Sequence, residues 1–481
     1  MKDMDYGLAH GREANHSNRL LWFFRRIEDL YKRYTGKRLY DLCQVESIQR
    51  TGNILAAAVL DICETSQLQH DAMDIDLSRS WQEMTLADIK LFSECLKYSL
   101  KDEFLLVHYD ERAMWGNTAL GKVEDVWKIY QGLLMECRST VVNLKSMEYA
   151  LLPFAKFRNL GEAEEYSLEV VREKIENAAT VEFSEKLDGS FIQMRYIGDD
   201  RFLYGILMSS SGLLDPERSY QLADTLAFMK EKGENIRHMV TGMPEVTFMF
   251  EWIDEGDPHV VGYPIEMQGL HLVGMRHVGC GRQYAYTNVA QTAAAYNVPA
   301  TKLYAMTLEE VLATLGELHG SEREGYVLYV DGFLVKIKCP DFLGLFHDFA
   351  IKRGFDAIAK VAAEGNADDY ISMLPKGYRL DARRKLRKIL TYEQDIIKRV
   401  EEECAKIPEG VDRKTAMIMF DKIEDKFIRS LARQKYLGRP INPIARKKGA
   451  NIQYVKEGEI DEYYSRQTNV SAKDCAMDVD A

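Results

Sequence analysis

Apolar residues recur at helical spacing near the start of the chain, where Leu20, Leu21, Phe24, Ile27, Leu30 and Tyr31 make one stripe. Residues 54–62 and 86–100 continue that pattern, so a mostly helical block is expected up to about residue 100. Beyond it the period shortens. Apolar runs bounded by turn residues predict strands at 103–108, 141–144, 179–184, 202–208, 246–253 and 270–276. A tight hairpin over 326–338 is expected to turn at Asp331-Gly332. Helical spacing interrupts these strands at 220–239, 289–296 and 308–319, and returns in charged, amphipathic form after residue 346. Strands and helices mixed in this order predict an α+β fold with mixed or antiparallel sheets rather than a regular βαβ repeat. The expected organisation is a helical N-terminal extension (1–100), a strand-rich domain (101–345), a basic helical C-terminal domain (346–465) and a polar, disordered tail (466–481).

Length and charge sharpen this picture. A chain of 481 residues suits two or three cores. No apolar run reaches the length of a membrane span, and the charged start is unlike a signal peptide, so a soluble protein of the cytoplasm or another intracellular compartment is expected (the host cytoplasm for a viral chain). The eight cysteines are scattered with no Cys-x-x-Cys pair, which argues against both a zinc site and a disulfide framework. The net charge is −12, yet residues 376–448 hold 21 Lys and Arg against 11 Asp and Glu. Arg383, Arg384, Lys385, Arg387 and Lys388 form the densest part of this segment, which suits a phosphate backbone better than a merely solvated face.

The candidate chemistry centres on Glu185-Lys186-Leu187-Asp188-Gly189, where a lysine ends an apolar run and a carboxylate and a glycine follow. Flanking strand patterns read as a hairpin with Lys186 at its turn, which would present the amine to a pocket. A Lys-x-Asp-Gly tetrapeptide alone is a weak signal. Further clusters strengthen it. Arg138 follows Glu136-Cys137, and Lys156 lies in Pro153-Phe154-Ala155-Lys156-Phe157-Arg158-Asn159-Leu160; both cations could hold triphosphate oxygens. Glu251 stands in an apolar strand and Glu324 opens another, each needing a partner such as a divalent cation or a ribose hydroxyl. Lys336 and Lys338 share one side of their strand and repel unless an anion lies between them.

In this order the residues resemble the covalent lysyl-nucleotidyltransferases, the polynucleotide ligases and messenger RNA capping enzymes. Within that group the chain is most similar to the RNA ligase 1 family of T-even bacteriophages, through Glu136-Cys137-Arg138, the run ending at Leu160, Phe250-Glu251-Trp252 with Val260-Val261-Gly262-Tyr263, and Lys336-Ile337-Lys338 with Leu345-Phe346-His347. The resemblance covers about residues 101–350 and leaves the first 85 or so unaccounted for. It departs at Met208-Ser209-Ser210-Ser211-Gly212, where this family often has a basic residue; Arg218 is a candidate substitute.

The resemblance implies a ligase-type nucleotidyltransferase domain and an ATP-dependent RNA ligase. Lys186, deprotonated through proximity to cations and partial burial, would take AMP from ATP and pass it to a 5′-phosphate RNA end, which a 3′-hydroxyl end then attacks; a nicked transfer RNA in an RNA repair role would suit. Arg138, Lys156, Lys336 and Lys338 would contact the nucleotide phosphates, with Glu185 and Glu251 also at the nucleotide. Asp188, Glu251 and Glu324 would share the metal (Mg²⁺ or Mn²⁺) and the ribose, in an assignment the sequence leaves open. Neither a membrane nor an obligate protein partner is indicated. The other readings are a DNA ligase, a capping guanylyltransferase, or a non-catalytic RNA-binding protein that keeps the fold. Helical, basic sequence after Lys338, where a small β-barrel would be expected, favours RNA ligation over the first two.

Overall fold

The computed structural model describes residues 15–66, 86–110, 132–255, 259–342, 344–345, 355–363, 367–373, 376–408, 410–442 and 444–445. Phe346, His347, the basic residues 446–448 and the tail from 466 lie outside them. The chain forms two compact units: Met1–Asp257 with Val261–Leu343, and Pro258–Val260 with Gly344–Ala481.

Three antiparallel four-stranded sheets build the first unit. β1 (Leu96–Lys101), β2 (Phe104–Tyr109), β3 (Arg138–Asn143) and β4 (Glu148–Leu151) pair in chain order. β5 (Val181–Lys186) lies between β10 (Leu303–Tyr304) and β11 (Gly325–Val330), with β12 (Phe333–Lys338) beyond β11. β6 (Ser190–Tyr196), β7 (Ile206–Ser210), β8 (Val246–Ile253) and β9 (Gly269–His277) form the third sheet, in the order β7-β6-β8-β9.

The helical block does not stand apart from the first sheet. Helix Asn15–Thr35 buries Leu20, Phe23, Phe24, Ile27 and Tyr31, a stripe at spacings of three and four, and helices Ile54–Ser66 and Leu86–Ser93 pack with it. That core continues into the sheet through Leu105, Val107, Val142 and Leu152. An amphipathic helix needs a second apolar surface, and β1 opens at Leu96, inside the block expected to be helical. Two other elements also differ from expectation. The helix expected over 220–239 is two helices, Tyr220–Glu231 and Glu234–Gly242, broken at Gly233, where a Cβ would lie 2.6 Å from the Met229 backbone. The strand expected over 202–208 begins with a 3₁₀ turn, Leu203–Gly205.

The hairpin expected around Lys186 is corrected. β5 pairs along its length with β11, Lys186 opposite Gly325 and Val181 opposite Val330, whereas β6 pairs with β7 and β8. Leu187-Asp188-Gly189 therefore carries the chain from one sheet to another. Local alternation predicts a strand but does not choose its partner. The 326–338 hairpin is present as expected, with φ positive at both Asp331 (47°) and Gly332 (99°), as a two-residue turn of this hand requires.

A buried ion pair ties the first sheet to the third. Arg276 on β9 donates to both Glu136 oxygens (2.8 and 3.1 Å), to the Pro153 carbonyl (2.7 Å) and to the Gly281 carbonyl (2.9 Å). With both side chains buried, each charge depends on the other. In the second unit, helices Lys376–Ala405, Arg413–Phe420 and Lys426–Tyr436 close over Ile396, Val400, Phe420, Ile428 and Leu431. No helix among the described residues is long and apolar enough to cross a membrane.

Glu136→Ala would strand the Arg276 guanidinium, and is expected to cost about 3–5 kcal/mol in urea unfolding. A loss below about 1 kcal/mol would show that this pair does not hold the sheets together.

Candidate active site

Three adjacent strands bring the catalytic candidates side by side. Gly325 on β11 faces Lys186 on one side and Lys338 on the other, so the lysines flank Glu324, the residue just before β11. Glu324 is buried and accepts from Lys186 Nζ through Oε2 (2.7 Å) and from Lys338 Nζ through Oε1 (2.8 Å). Gly325 makes the approach possible: its φ is +145°, and a Cβ there would lie 2.2 Å from the Ile337 carbonyl oxygen.

The crossing after Lys186 is held by polar contacts on both sides. The Asp188 amide donates to Tyr263 Oη (2.7 Å), and Asp188 Oδ2 accepts from the Val261 amide (3.0 Å). The Gly189 amide donates to Glu251 Oε1 (3.0 Å). Gly189 has no room for a side chain, since a Cβ would lie 2.6 Å from the Trp252 carbonyl oxygen and 2.7 Å from Glu251 Cγ. The glycine of Lys-x-Asp-Gly is thus needed for close approach rather than for an unusual φ.

Burial alone would pull the Lys186 amine down, but Glu324, Glu251 and Asp188 outweigh it and raise the pKa above the ordinary lysine value. This corrects the expectation that neighbouring cations deprotonate Lys186: in the ligand-free protein its nearest charges are carboxylates, and the amine is an ammonium.

The cations gather around Lys336 instead. Its Nζ lies over the Phe157 ring (4.9 Å), and Arg138 stacks on Phe157 and Phe191 (5.3 and 5.4 Å). Burial, with Arg138, Lys186, Lys156 and Lys338 nearby, pushes the Lys336 amine down to about 6. Lys156 donates to Tyr109 Oη (2.9 Å), and Arg138 Nη1 is buried with no hydrogen-bond partner. Four lysines and an arginine on one pocket, one of them holding an orphaned donor, fit a polyanion.

Glu185 points elsewhere. Its amide donates to the Lys302 carbonyl (2.8 Å), its carbonyl accepts from Thr301 Oγ1 (2.6 Å), and its carboxylate lies 3.7 Å from Arg323 Nε. Arg323 donates to Tyr326 Oη (3.0 Å) and stacks on Tyr304 (5.1 Å). Sequence reasoning passed over Arg323, Tyr263 and Tyr109. Arg323 adjoins Glu324 and Tyr263 ends the quoted 260–263 run, so both were within reach.

Among the described residues no three His, Cys, Asp or Glu side chains converge as a ready-made metal cage. Asp188, Glu251 and Glu324 are hard oxygen donors already engaged by an amide or an ammonium, so a divalent ion beside them would take most of its ligands from phosphate oxygens. In the second unit Arg383, Arg384, Arg387 and Lys388 are exposed and Lys385 is half-buried, with Arg383 and Arg387, and Arg384 and Lys388, one helical turn apart.

A strand-end lysine followed by a sheet-crossing turn, with two further lysines and a carboxylate on the neighbouring strands, is the arrangement that the resemblance to the covalent lysyl-nucleotidyltransferases implies. Residues 136–342 match the RNA ligase family, in agreement with the resemblance drawn from the motifs. No curated protein matches the chain. Among solved structures it is similar to an archaeal ATP-dependent RNA ligase (TM-score 0.39, 15% identity, 80% of this chain and 99% of that one). It is also similar to an RNA ligase from Naegleria gruberi solved with pyrophosphate (TM-score 0.29, 17% identity, 37% and 56%). A third is a putative ATP-dependent DNA ligase from Aquifex aeolicus (TM-score 0.33, 14% identity, 73% and 87%).

With its amine near 6, Lys336 is neutral at about pH 7.5 and regains a proton when phosphate arrives, so nucleotide binding should take up protons. Calorimetry in buffers of different ionisation enthalpy measures this uptake; proton release or none would contradict the assignment. The unfolded lysine binds the extra proton, so wild-type stability should climb as pH rises from about 6 towards the ordinary lysine value. Lys336→Met should flatten that slope and raise the melting midpoint most at its acid end.

Proposed function

We propose that the chain is an ATP-dependent RNA ligase that joins a 5′-phosphate RNA end to a 3′-hydroxyl end, a nicked transfer RNA being a suitable substrate. The observation that supports this best is the Lys186–Glu324–Lys338 bridge beside the cation cluster of Arg138, Lys156 and Lys336.

The nucleotide's phosphates enter the pocket of Arg138, Lys156 and Lys336, and Lys336 is protonated as they arrive. Lys186 must lose its proton before it can attack, and Glu324 Oε2, which already accepts its hydrogen bond at 2.7 Å, is the group placed to take that proton up. Lys186 Nζ then bonds to the α-phosphorus as the bond to the bridging oxygen breaks, and pyrophosphate departs. Lys338 and Lys336 face the developing charge. Next, an oxygen of the RNA 5′-phosphate attacks that phosphorus, the nitrogen–phosphorus bond breaks and the lysine is restored. Finally the 3′-hydroxyl attacks the activated end and AMP leaves. Asp188, Glu251 and Glu324 would hold a divalent cation, Mg²⁺ or Mn²⁺, whose contribution is to neutralise phosphate charge. The exposed face of Arg383, Arg384, Arg387 and Lys388, with Lys385 beside it, supplies charge for an RNA backbone.

Incubation with α-labelled ATP and a divalent cation should give an acid-labile protein adduct that pyrophosphate reverses, and adding 5′-phosphorylated RNA should discharge it into joined product. Labelling by GTP alone would indicate capping chemistry, discharge only into nicked DNA a DNA ligase, and no label at all a non-catalytic RNA-binding protein.

A further inference from the structure

The first sheet has an irregularity beside Arg138. The β2–β3 register shifts at His108: Val107 faces Thr140 but His108 faces Arg138, leaving Ser139 as an extra residue. Such bulges re-aim neighbouring side chains. Ser139 is fully buried and held at φ 63°, a left-handed backbone that a serine adopts only when its surroundings impose it.

Those surroundings are polar and specific. The Gly212 amide donates to Ser139 Oγ (3.1 Å), and the same oxygen lies 3.0 Å from His108 Nδ1. The Ser139 hydroxyl hydrogen can therefore go to Nδ1, which places the imidazole proton on Nε2. The ring is also stacked on Tyr109, centroids 4.7 Å apart, and Tyr109 Oη is bound by Lys156. The ring position is thus held from behind, with Ser139 placed to donate to Nδ1 and leave Nε2–H free to face outward, on a residue that is not fully buried.

Across the strands, Lys97 on β1 stands directly opposite His108, and His108 directly opposite Arg138. Residues so paired share one face of the sheet, and like charges in these positions oppose folding. Burial, then Arg138, Lys97 and Lys156, push the imidazole down to about 4. The charges that bear on it are all positive, and Arg138 Nη1 at the end of the row has no partner. Arg138 also has Glu251 near it, and this row of donors, braced by a strained residue, suits an anion.

We propose that Lys97, His108 and Arg138 form a row that binds a terminal phosphate, with His108 Nε2–H as a fixed donor to it. This rests on the ligase reading above and adds His108 and Lys97 to its machinery. The ligand chemistry is a phosphate monoester, either the γ-phosphate of the nucleotide or the 5′-phosphate of the RNA end. His108 acts here as a binding and positioning group.

Three variants separate the two faces of the ring. Glutamine can reach the Nε2 position and keep a donor there; asparagine reaches only Nδ1 and keeps the Ser139 contact; alanine keeps neither. For each, adduct formation is measured against ATP concentration, and discharge of preformed adduct against the concentration of 5′-phosphorylated RNA. His108→Ala and His108→Asn should raise KM about tenfold in one of these steps, as expected for one hydrogen bond to a charged group, with His108→Gln close to wild type. A change in the first step assigns the row to the γ-phosphate, and a change in the second to the RNA end. Unchanged KM in both, or rescue by asparagine rather than glutamine, would overturn the proposal. If the wild type forms no adduct, the ligase reading fails instead. The row is then read by NMR titration of His108 with inorganic tripolyphosphate and with 5′-phosphorylated RNA. Its pKa should rise with one of them, and no rise with either overturns the proposal.

Discussion

One carboxylate organises the catalytic end of the first unit. Glu324 is buried, and its two oxygens take an ammonium from each neighbouring strand, Lys186 from β5 and Lys338 from β12. A buried charge with a partner removed costs several kcal/mol, so the three groups hold one another and the strand ends in place. The glycine after Glu324 sets how close the strands can come, because any side chain there would strike the Ile337 carbonyl. The arrangement also stores a choice. While Glu324 holds Lys186 the amine is an ammonium, and on the proposed reading it becomes a nucleophile only when its proton passes to that carboxylate.

The same pocket carries a cost that folding alone would not select. Lys336 is held near a pKa of 6 by burial and surrounding cations, Arg138 has an orphaned nitrogen, and Ser139 occupies a strained backbone region. Each feature is unfavourable in the protein alone, and on the proposed reading a bound phosphate would offset the first two. The Arg276–Glu136 pair anchors the segment that leads into Arg138, so the strained end is attached to a well-satisfied one.

Much of this site was legible because its parts are local. Lys186 at the end of an apolar run, Lys336 and Lys338 at period two, and the Asp331-Gly332 turn each depend on residues within a few positions of one another, and strand period and turn chemistry are local properties. What escaped was what depends on partners distant in sequence. β6 pairs with β8 rather than β5, so the expected hairpin is a crossing between sheets. The Lys186 amine was expected to be deprotonated by cations, but Glu324, 138 residues away, reverses the sign. One miss was local: the helix expected over 220–239 breaks at Gly233, where the Met229 backbone four residues earlier leaves no room for a Cβ, and apolar periodicity does not encode that. His108 carried no pattern of its own and acquires meaning only from the neighbours that the fold supplies.

Two amines in this pocket compete for the role of nucleophile. Lys336 is already neutral near physiological pH, whereas Lys186 must first lose its proton. The most direct test is to trap the protein with ATP and a divalent cation, digest it under conditions that preserve phosphoramidates, and identify by mass spectrometry the peptide that carries AMP. The account predicts AMP on Lys186 alone, with no adduct in Lys186→Ala. AMP on Lys336, or an adduct that survives Lys186→Ala, would contradict it.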